Sequence, residues 1–209
     1  MSTVTQTAQS QANISPVQAI ELLKEGNERF LNNKAENRDL LQQVSETAAG
    51  QYPFAAIVSC IDSRIPTEVV FDQGIGDVFN ARVAGNIVNE DILGSLEFAC
   101  KLAGAKAIVV LGHTSCGAVK GACDNAQLGN LTQMLEKIKP AVDLTPTADG
   151  EERNSGNIEF VNNVADKNVA LTIENIKSQS TVLNEMNDEG AITIVGAMYD
   201  VKTGKITFS

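Results

Sequence analysis

Two stretches of the chain are continuously apolar and no longer than a single strand: Phe54 to Ser59 and Ala107 to Leu111. An unbroken apolar run of that length suits a strand covered on both faces. Between and around them the spacing turns helical. Ser15 can cap a helix, with Pro16 at its first position and Gln18 completing a capping box; Ile20, Leu23, Phe30 and Leu31 then recur at helical intervals to about Asn33. A second helix is predicted over Arg38 to Ala48, a short one over Pro66 to Phe71, and another over Asp91 to Ala103 with Gly104 just past its end. A helix is expected to resume by Ala118, another to run from Leu131 to Lys139 and be closed by Pro140, and a long one to cover Ile158 to Lys177 with a possible extension to Met186. Asp77 to Ala84 and Ala191 to Met198 read as further strands, the latter turning through Tyr199 to Lys205 into a last strand, Ile206 to Phe208.

Helices alternating with buried strands predict an α/β fold: a mostly parallel central sheet, an antiparallel edge strand from the final hairpin, and helices on both faces. One domain is expected over residues 14–209, with residues 1–13, polar and rich in Ser, Thr and Gln, as a disordered leader. Within it, residues 15–49 read as leading helices that precede the core, residues 50–125 hold the chemistry, and residues 140–156, rich in Pro, Thr, Asp, Glu and Gly, read as a loop or insertion.

Charge narrows the function classes. Acidic residues outnumber basic ones by 26 to 16, a formal charge of -10. Such a chain lacks the basic face that nucleic acid or an anionic membrane would require. No apolar run approaches the ~18–20 residues that span a bilayer, and the N-terminus lacks the pattern of a signal peptide, so a cytoplasmic protein is expected unless an export signal has been removed. Four cysteines in 209 residues do not make a disulfide scaffold; they read as thiols.

At the end of the first apolar run stands Cys60-Ile61-Asp62-Ser63-Arg64, a thiol, a carboxylate and a guanidinium at alternate positions. If strand geometry persists to Arg64, all three project to one side, at the strand end where α/β sheets hold ligands. The second run leads into Gly112-His113-Thr114-Ser115-Cys116-Gly117, which contains the only histidine of the chain. His-x-x-Cys at a strand-to-helix turn brings two soft ligands together, and neighbouring strands would add Cys60. Two thiolates and an imidazole form a three-ligand zinc set with a fourth position open. The plain alternative is two buried thiols and a hydrogen-bonded histidine.

Cys60-x-Asp62-x-Arg64 followed by Gly112-His113-x-x-Cys116-Gly117 resembles the signature of the β-class carbonic anhydrases, and the resemblance extends from about Gln51 to Gly121. It implies one zinc per subunit held by Cys60, His113 and Cys116, and an Asp62–Arg64 dyad beside it. The implied reaction is reversible hydration of carbon dioxide to bicarbonate and a proton by metal-bound hydroxide, which Asp62 orients. It also implies a homodimer or a higher multiple of dimers. In the resembled family the aspartate can leave the arginine and become a fourth ligand, closing the site. The chain has no Trp to match the one usual in members with a bicarbonate site that favours closure, so the open form is expected.

By position, Gln51 resembles a glutamine that reaches substrate across the dimer interface, Phe79 an apolar wall of the carbon dioxide pocket, and Ala84 a small lining residue. Gly117 offers a backbone N–H near the metal. Phe98 departs from plant-type members, which carry a tyrosine there. With His113 on the metal no second histidine remains as a proton shuttle, so turnover is expected to depend on buffer. Two other readings stay open. Carbon disulfide and carbonyl sulfide hydrolases resemble this class and use the same zinc set. A non-catalytic zinc or thiol protein would need neither an open fourth position nor the dyad.

Overall fold

The computed structural model describes residues 5–209; residues 1–4 of the expected leader lie outside the described residues. In chain order the elements are α1 (Ala8–Asn13), α2 (Pro16–Leu31), α3 (Leu40–Thr47), β1 (Ala55–Ser59), α4 (Thr67–Val70), β2 (Val78–Arg82), α5 (Glu90–Glu97), β3 (Ala107–His113), α6 (Gly117–Cys123), α7 (Gly129–Glu136), α8 (Lys139–Leu144), α9 (Ile158–Gln179), α10 (Thr181–Asp188), β4 (Thr193–Tyr199) and β5 (Ile206–Phe208). The five strands form one sheet in the order β2-β1-β3-β4-β5, parallel except for the final β4–β5 pair. This is the predicted mostly parallel sheet with an antiparallel edge.

Every residue of β1 and β3 is buried, as their unbroken apolar sequences require. Alternation divides their side chains between two layers. Ala55, Ile57, Ala107, Val109 and Leu111 pack with Ala19, Ile20 and Leu23 of α2 and with Phe71. Ala56, Val58, Ile108 and Val110 pack on the other face with Leu93 and Leu96 of α5, Val169 and Ile176 of α9 and Leu183 of α10. A third cluster at one end of the sheet joins Cys60 and Cys116 to α6, α7, α8 and α9.

Several elements differ from the sequence reading. Residues 8–13 of the expected disordered leader form α1, started by a Thr7–Ser10 capping box, and the buried Gln11 amide donates to the carbonyls of Pro53 and Ala103 at 2.7 and 2.8 Å. A polar sequence is tied down here by one buried amide, which hydropathy does not register. α2 does not precede the core but forms part of it: besides its apolar stripe, Asn27 donates to the carbonyls of Val70 and Gly204 and accepts from the Ile206 N–H. The helix from Asp91 breaks its register at a π-turn, Phe98–Leu102, before Gly104 at φ 84°.

Pro140 does not close a helix; it lies in the first turn of α8, where its missing N–H costs nothing. The expected 140–156 loop is therefore partly helical, with Ala141 and Val142 buried. Arg153 pins the rest, donating to the carbonyls of Val142 and Thr145 and stacking 4.8 Å from the Phe160 ring. Finally, α9 stops at Ser180, whose hydroxyl caps α10 by accepting from the Leu183 N–H, so the long helix does not run unbroken to Met186.

Candidate metal centre

β1 lies between β2 and β3, so the chain leaves β1 towards one side of the sheet and approaches β3 on the other. The turns after β1 and β3 open on the same rim, the switch point where parallel sheets hold ligands. Ser59 pairs with Leu111 in the parallel register, which sets Cys60 beside the end of β3. The turns do the rest: the side-chain nitrogen and sulfur atoms of Cys60, His113 and Cys116 that could hold a metal lie within 4.8 Å of one another, and all three residues are buried.

Local sequence explains the His-x-x-Cys turn. Ser115 adopts φ 56°, and its N–H is held by the Asn162 side-chain oxygen at 2.8 Å. The Thr114 N–H donates to the Tyr199 carbonyl at 3.0 Å, and its hydroxyl accepts from the Val201 N–H. Gly112 is required by packing: a Cβ there would stand 2.5 Å from a methyl of Val169 and 2.7 Å from the Met198 sulfur. At Gly117 a Cβ would meet nothing within 4 Å, so the chain itself imposes no need for glycine there.

The His113 ring is fully buried. Its Nδ1 is 2.9 Å from the Thr114 carbonyl, which fixes the proton on Nδ1. Nε2 is left with a free lone pair and, among the described residues, no hydrogen-bond partner. A buried polar atom in that condition is costly unless something binds it. Nearby, the two sulfurs act on one another. A hydrogen bond from Cys116 draws the Cys60 pKa far below the ordinary thiol range against the opposing effect of burial, helped by the Gly85 N–H. That same bond and burial push Cys116 up. The Gly85 N–H lies 3.4 Å from the Cys60 sulfur, and Gly85 is itself held at φ 74° by the Asn168 amide, which donates to its carbonyl at 2.7 Å.

Asp62 and Arg64 are brought together by a turn, not by an extended strand. β1 ends at Ser59, and the Asp62 Oδ1 accepts the Arg64 N–H at 2.9 Å, closing an Asx-type turn. The guanidinium then binds the carboxylate in fork fashion, with Nε 2.9 Å from Oδ1 and Nη2 2.7 Å from Oδ2. These side-chain bonds are the main reason the Asp62 pKa is lowered to about 2. Oδ2 stands 3.9 Å from His113 Nε2. The carboxylate therefore borders the cluster while resting on Arg64.

Of the remaining predicted site residues, Gly117 follows Cys116 directly and Ala84 adjoins the cluster, whereas Phe79 and Gln51 lie apart from it. Ala84 opens the short turn Ala84–Asn86 that delivers the Gly85 N–H, one residue from contact with Cys60. Phe79 packs edge-on against Phe98 at 6.2 Å and lines a 480 Å³ cavity with Ala56, Asn80 and Leu96, without any of the three clustered residues. Gln51 is exposed beside Thr47, Gly50 and Gly76. Sequence reasoning missed Arg82, Asn162 and Asn168, which support the site through backbone groups. Such contacts leave no spacing signature, because their targets are carbonyls and amides that every residue has.

Comparison with known proteins decides the family. Residues 55–206 match the carbonic anhydrase family model. The chain belongs to the β-carbonic anhydrase family. It is 36% identical over 199 residues to carbonic anhydrase 2 of Mycobacterium tuberculosis, spanning 92% of each chain. It is 33% identical to the carbonic anhydrase of Mycolicibacterium smegmatis, over 93% of each. Among solved structures, a β-carbonic anhydrase of Aspergillus fumigatus superposes with a TM-score of 0.72 at 26% identity, covering 92% of this chain and 89% of that one. A tetrameric β-carbonic anhydrase of Sordaria macrospora gives 0.70 at 25% identity, covering 88% and 93%. The chain is an enzyme of this family, and no helix among the described residues is long and apolar enough to cross a membrane.

Proposed function

We propose that the chain catalyses reversible hydration of carbon dioxide to bicarbonate, with zinc held by the Cys60 and Cys116 sulfurs and His113 Nε2. The observation that carries this reading is the buried, unpartnered Nε2 of His113 set in a cluster with two sulfurs. Two thiolates and a neutral imidazole are a donor set that suits zinc and leaves a fourth position for reactants. Zinc in that position supplies a Lewis acid that brings the ionisation of a water towards neutral pH.

The residues of the chain do the positioning. Asp62, with a pKa of about 2, is ionised at working pH and acts as a hydrogen-bond acceptor rather than a base. An O–H donating to Oδ2 is turned so that its oxygen lone pair faces the carbon of the substrate. Arg64 keeps both carboxylate oxygens in one plane and holds Asp62 off the cluster. The Gly85 N–H offsets part of the negative charge on Cys60, and the Thr114 carbonyl keeps the imidazole in the tautomer that presents Nε2. Ala84 and the Gly117 N–H are read as lining the substrate side. Protons leave by buffer, as His113 is the only histidine.

The same reading makes the chain a homodimer or a multiple of dimers. α3 exposes Leu40, Leu41 and Val44, and Phe98 is 52% exposed beside the open edge of β2. Gln51 and Phe79, which lie away from the cluster in one chain, are read as completing the substrate pocket of a partner copy. Light scattering tests the assembly. The activity is tested by zinc content together with carbon dioxide hydration over about pH 6.5 to 9, with carbon disulfide and carbonyl sulfide as competing substrates. About one zinc per chain and hydration that rises with pH and is lost in Asp62→Ala are expected. A zinc-free chain, hydration untouched by Asp62→Ala, or faster turnover of the sulfur compounds would refute the reading.

A further inference from the structure

Arg82 ends β2 and stands opposite Ser59, the last residue of β1, in the parallel register. From Ser59 the chain leaves the sheet, so the Arg82 side chain lies along the next three residues, which carry the first sulfur and the dyad carboxylate. Its Nε donates to the Cys60 carbonyl at 3.0 Å and its Nη2 to the Asp62 carbonyl at 2.7 Å. The adjacent Val83 N–H donates to the Ser59 carbonyl at 3.0 Å, which continues the strand pairing up to this point. The Asp62 carbonyl also accepts the Ile65 N–H at 3.1 Å, so it is bound from both the loop and the neighbouring strand.

A guanidinium is planar and presents its N–H groups at fixed angles. Both ends of the Cys60-Ile61-Asp62 segment are therefore fastened to one rigid object. Arg82 thus ties the Cys60 and Asp62 backbones to β2 from outside the loop. We propose that Arg82 is a positioning residue for this site: it fixes the Asp62 carboxylate relative to the Cys60 sulfur. The two arginines then have separate tasks, Arg64 orienting the Asp62 side chain and Arg82 its backbone. The catalytic consequence rests on the proposed carbon dioxide hydration; the mechanical one does not.

The test uses Arg82→Gln and Arg82→Lys in the full chain. Three quantities are read: amide hydrogen exchange of the segment 60–65, zinc affinity by competition with a chromophoric chelator, and hydration kinetics. In Arg82→Gln, exchange in segment 60–65 is expected to accelerate while β1 and β3 stay protected. Zinc affinity should fall about 10-fold, and kcat about 10- to 100-fold with less than about a threefold change in KM. Lysine reaches one carbonyl but not both, so Arg82→Lys should be intermediate. Unaltered exchange at 60–65 in Arg82→Gln overturns the proposal. So does a uniform loss of protection with kcat per zinc-loaded molecule unchanged, which is the mark of a merely structural role. If Arg82→Gln does not fold, Arg82→Lys decides, and parental exchange and zinc affinity in that variant refute the clamp. A parent that hydrates no carbon dioxide would sink the function while leaving exchange and zinc affinity to judge Arg82.

Discussion

Arg64 grips both oxygens of Asp62, yet its own side chain is 49% exposed. An ion pair that open to water adds little to stability, typically below about 1 kcal/mol, so its geometry is better explained by orientation of the carboxylate. Arg64→Lys keeps the charge but loses the fork. Hydration is expected to fall about 10- to 100-fold while the melting temperature moves by no more than about 3 °C. Stopped-flow assays beside calorimetry check this, and an equal loss of stability and activity would contradict it.

Three of the four cysteines separate by environment. Cys100 sits in the apolar cluster between α5 and the sheet, where burial pushes its thiol up to about 12. Cys60 and Cys116 instead lie beside His113, joined by a hydrogen bond that draws the Cys60 pKa down and pushes that of Cys116 up. Cys100→Ser should keep about one zinc per chain, whereas Cys116→Ser and His113→Ala should purify with little. Metal analysis of the three variants decides it. The cobalt-substituted parent should show thiolate charge-transfer absorption that Cys116→Ser weakens.

The parts of this site legible in the sequence are those that rest on side-chain identity and strand periodicity. Phe54 to Ser59 and Ala107 to Leu111 announce buried parallel strands, and the rim they share follows from the βαβ layout. Alternation predicts only that Cys60, Asp62 and Arg64 share a side, and the Asp62–Arg64 dyad comes from the family resemblance; the structure joins the two through an Asx-type turn, because β1 ends one residue before Cys60. Less legible still are side chains that bind backbone. Gln11, Arg82, Asn162 and Asn168 each hold a carbonyl or an amide far along the chain. Any residue offers such a partner, so no pattern marks the pair. Pro140 misled for a related reason: proline stops one helix and starts the next with equal ease.

Gly112 couples the site to α9. With a Cβ at 2.5 Å from the Val169 methyl and 2.7 Å from the Met198 sulfur, Gly112→Ala must displace the Val169 side chain of α9 or the Met198 side chain of β4. The strain is expected to cost about 1–3 kcal/mol. It should also lower zinc affinity, because His113 is the next residue. Val169→Ala removes one of the two clashing groups and should restore part of both in the double variant. Independent, additive losses would show that the contact is not what makes glycine necessary.

Asp72 provides a pH test remote from the Cys60–His113–Cys116 cluster. Burial alone would raise its pKa, but hydrogen bonds from Arg29 and Arg38 and from the Glu36 N–H more than reverse that, and the net shift is downward. A carboxyl whose folded pKa lies below its unfolded value contributes stability above the unfolded value, about pH 4, and loses it as pH falls through the folded one. Asp72→Asn should therefore cost about 2 kcal/mol near pH 7, since it leaves two arginines without their shared acceptor. As pH falls from the unfolded value through the lower folded one the penalty should shrink, because the parent's own Asp72 takes up a proton. Asp77 is the opposite case: burial raises its pKa, so its charged form opposes folding. Stability gained from its protonation is present below about pH 4 and lost as pH rises through the folded value. Asp77→Asn should accordingly match the parent in acid and gain on it towards neutrality, provided that the asparagine oxygen still accepts the Gly74 N–H. Urea denaturation of the two variants between about pH 3 and 7 measures both slopes. A penalty for Asp72→Asn that is the same at both ends of that range would mean that the two arginines do not depend on the charge of Asp72.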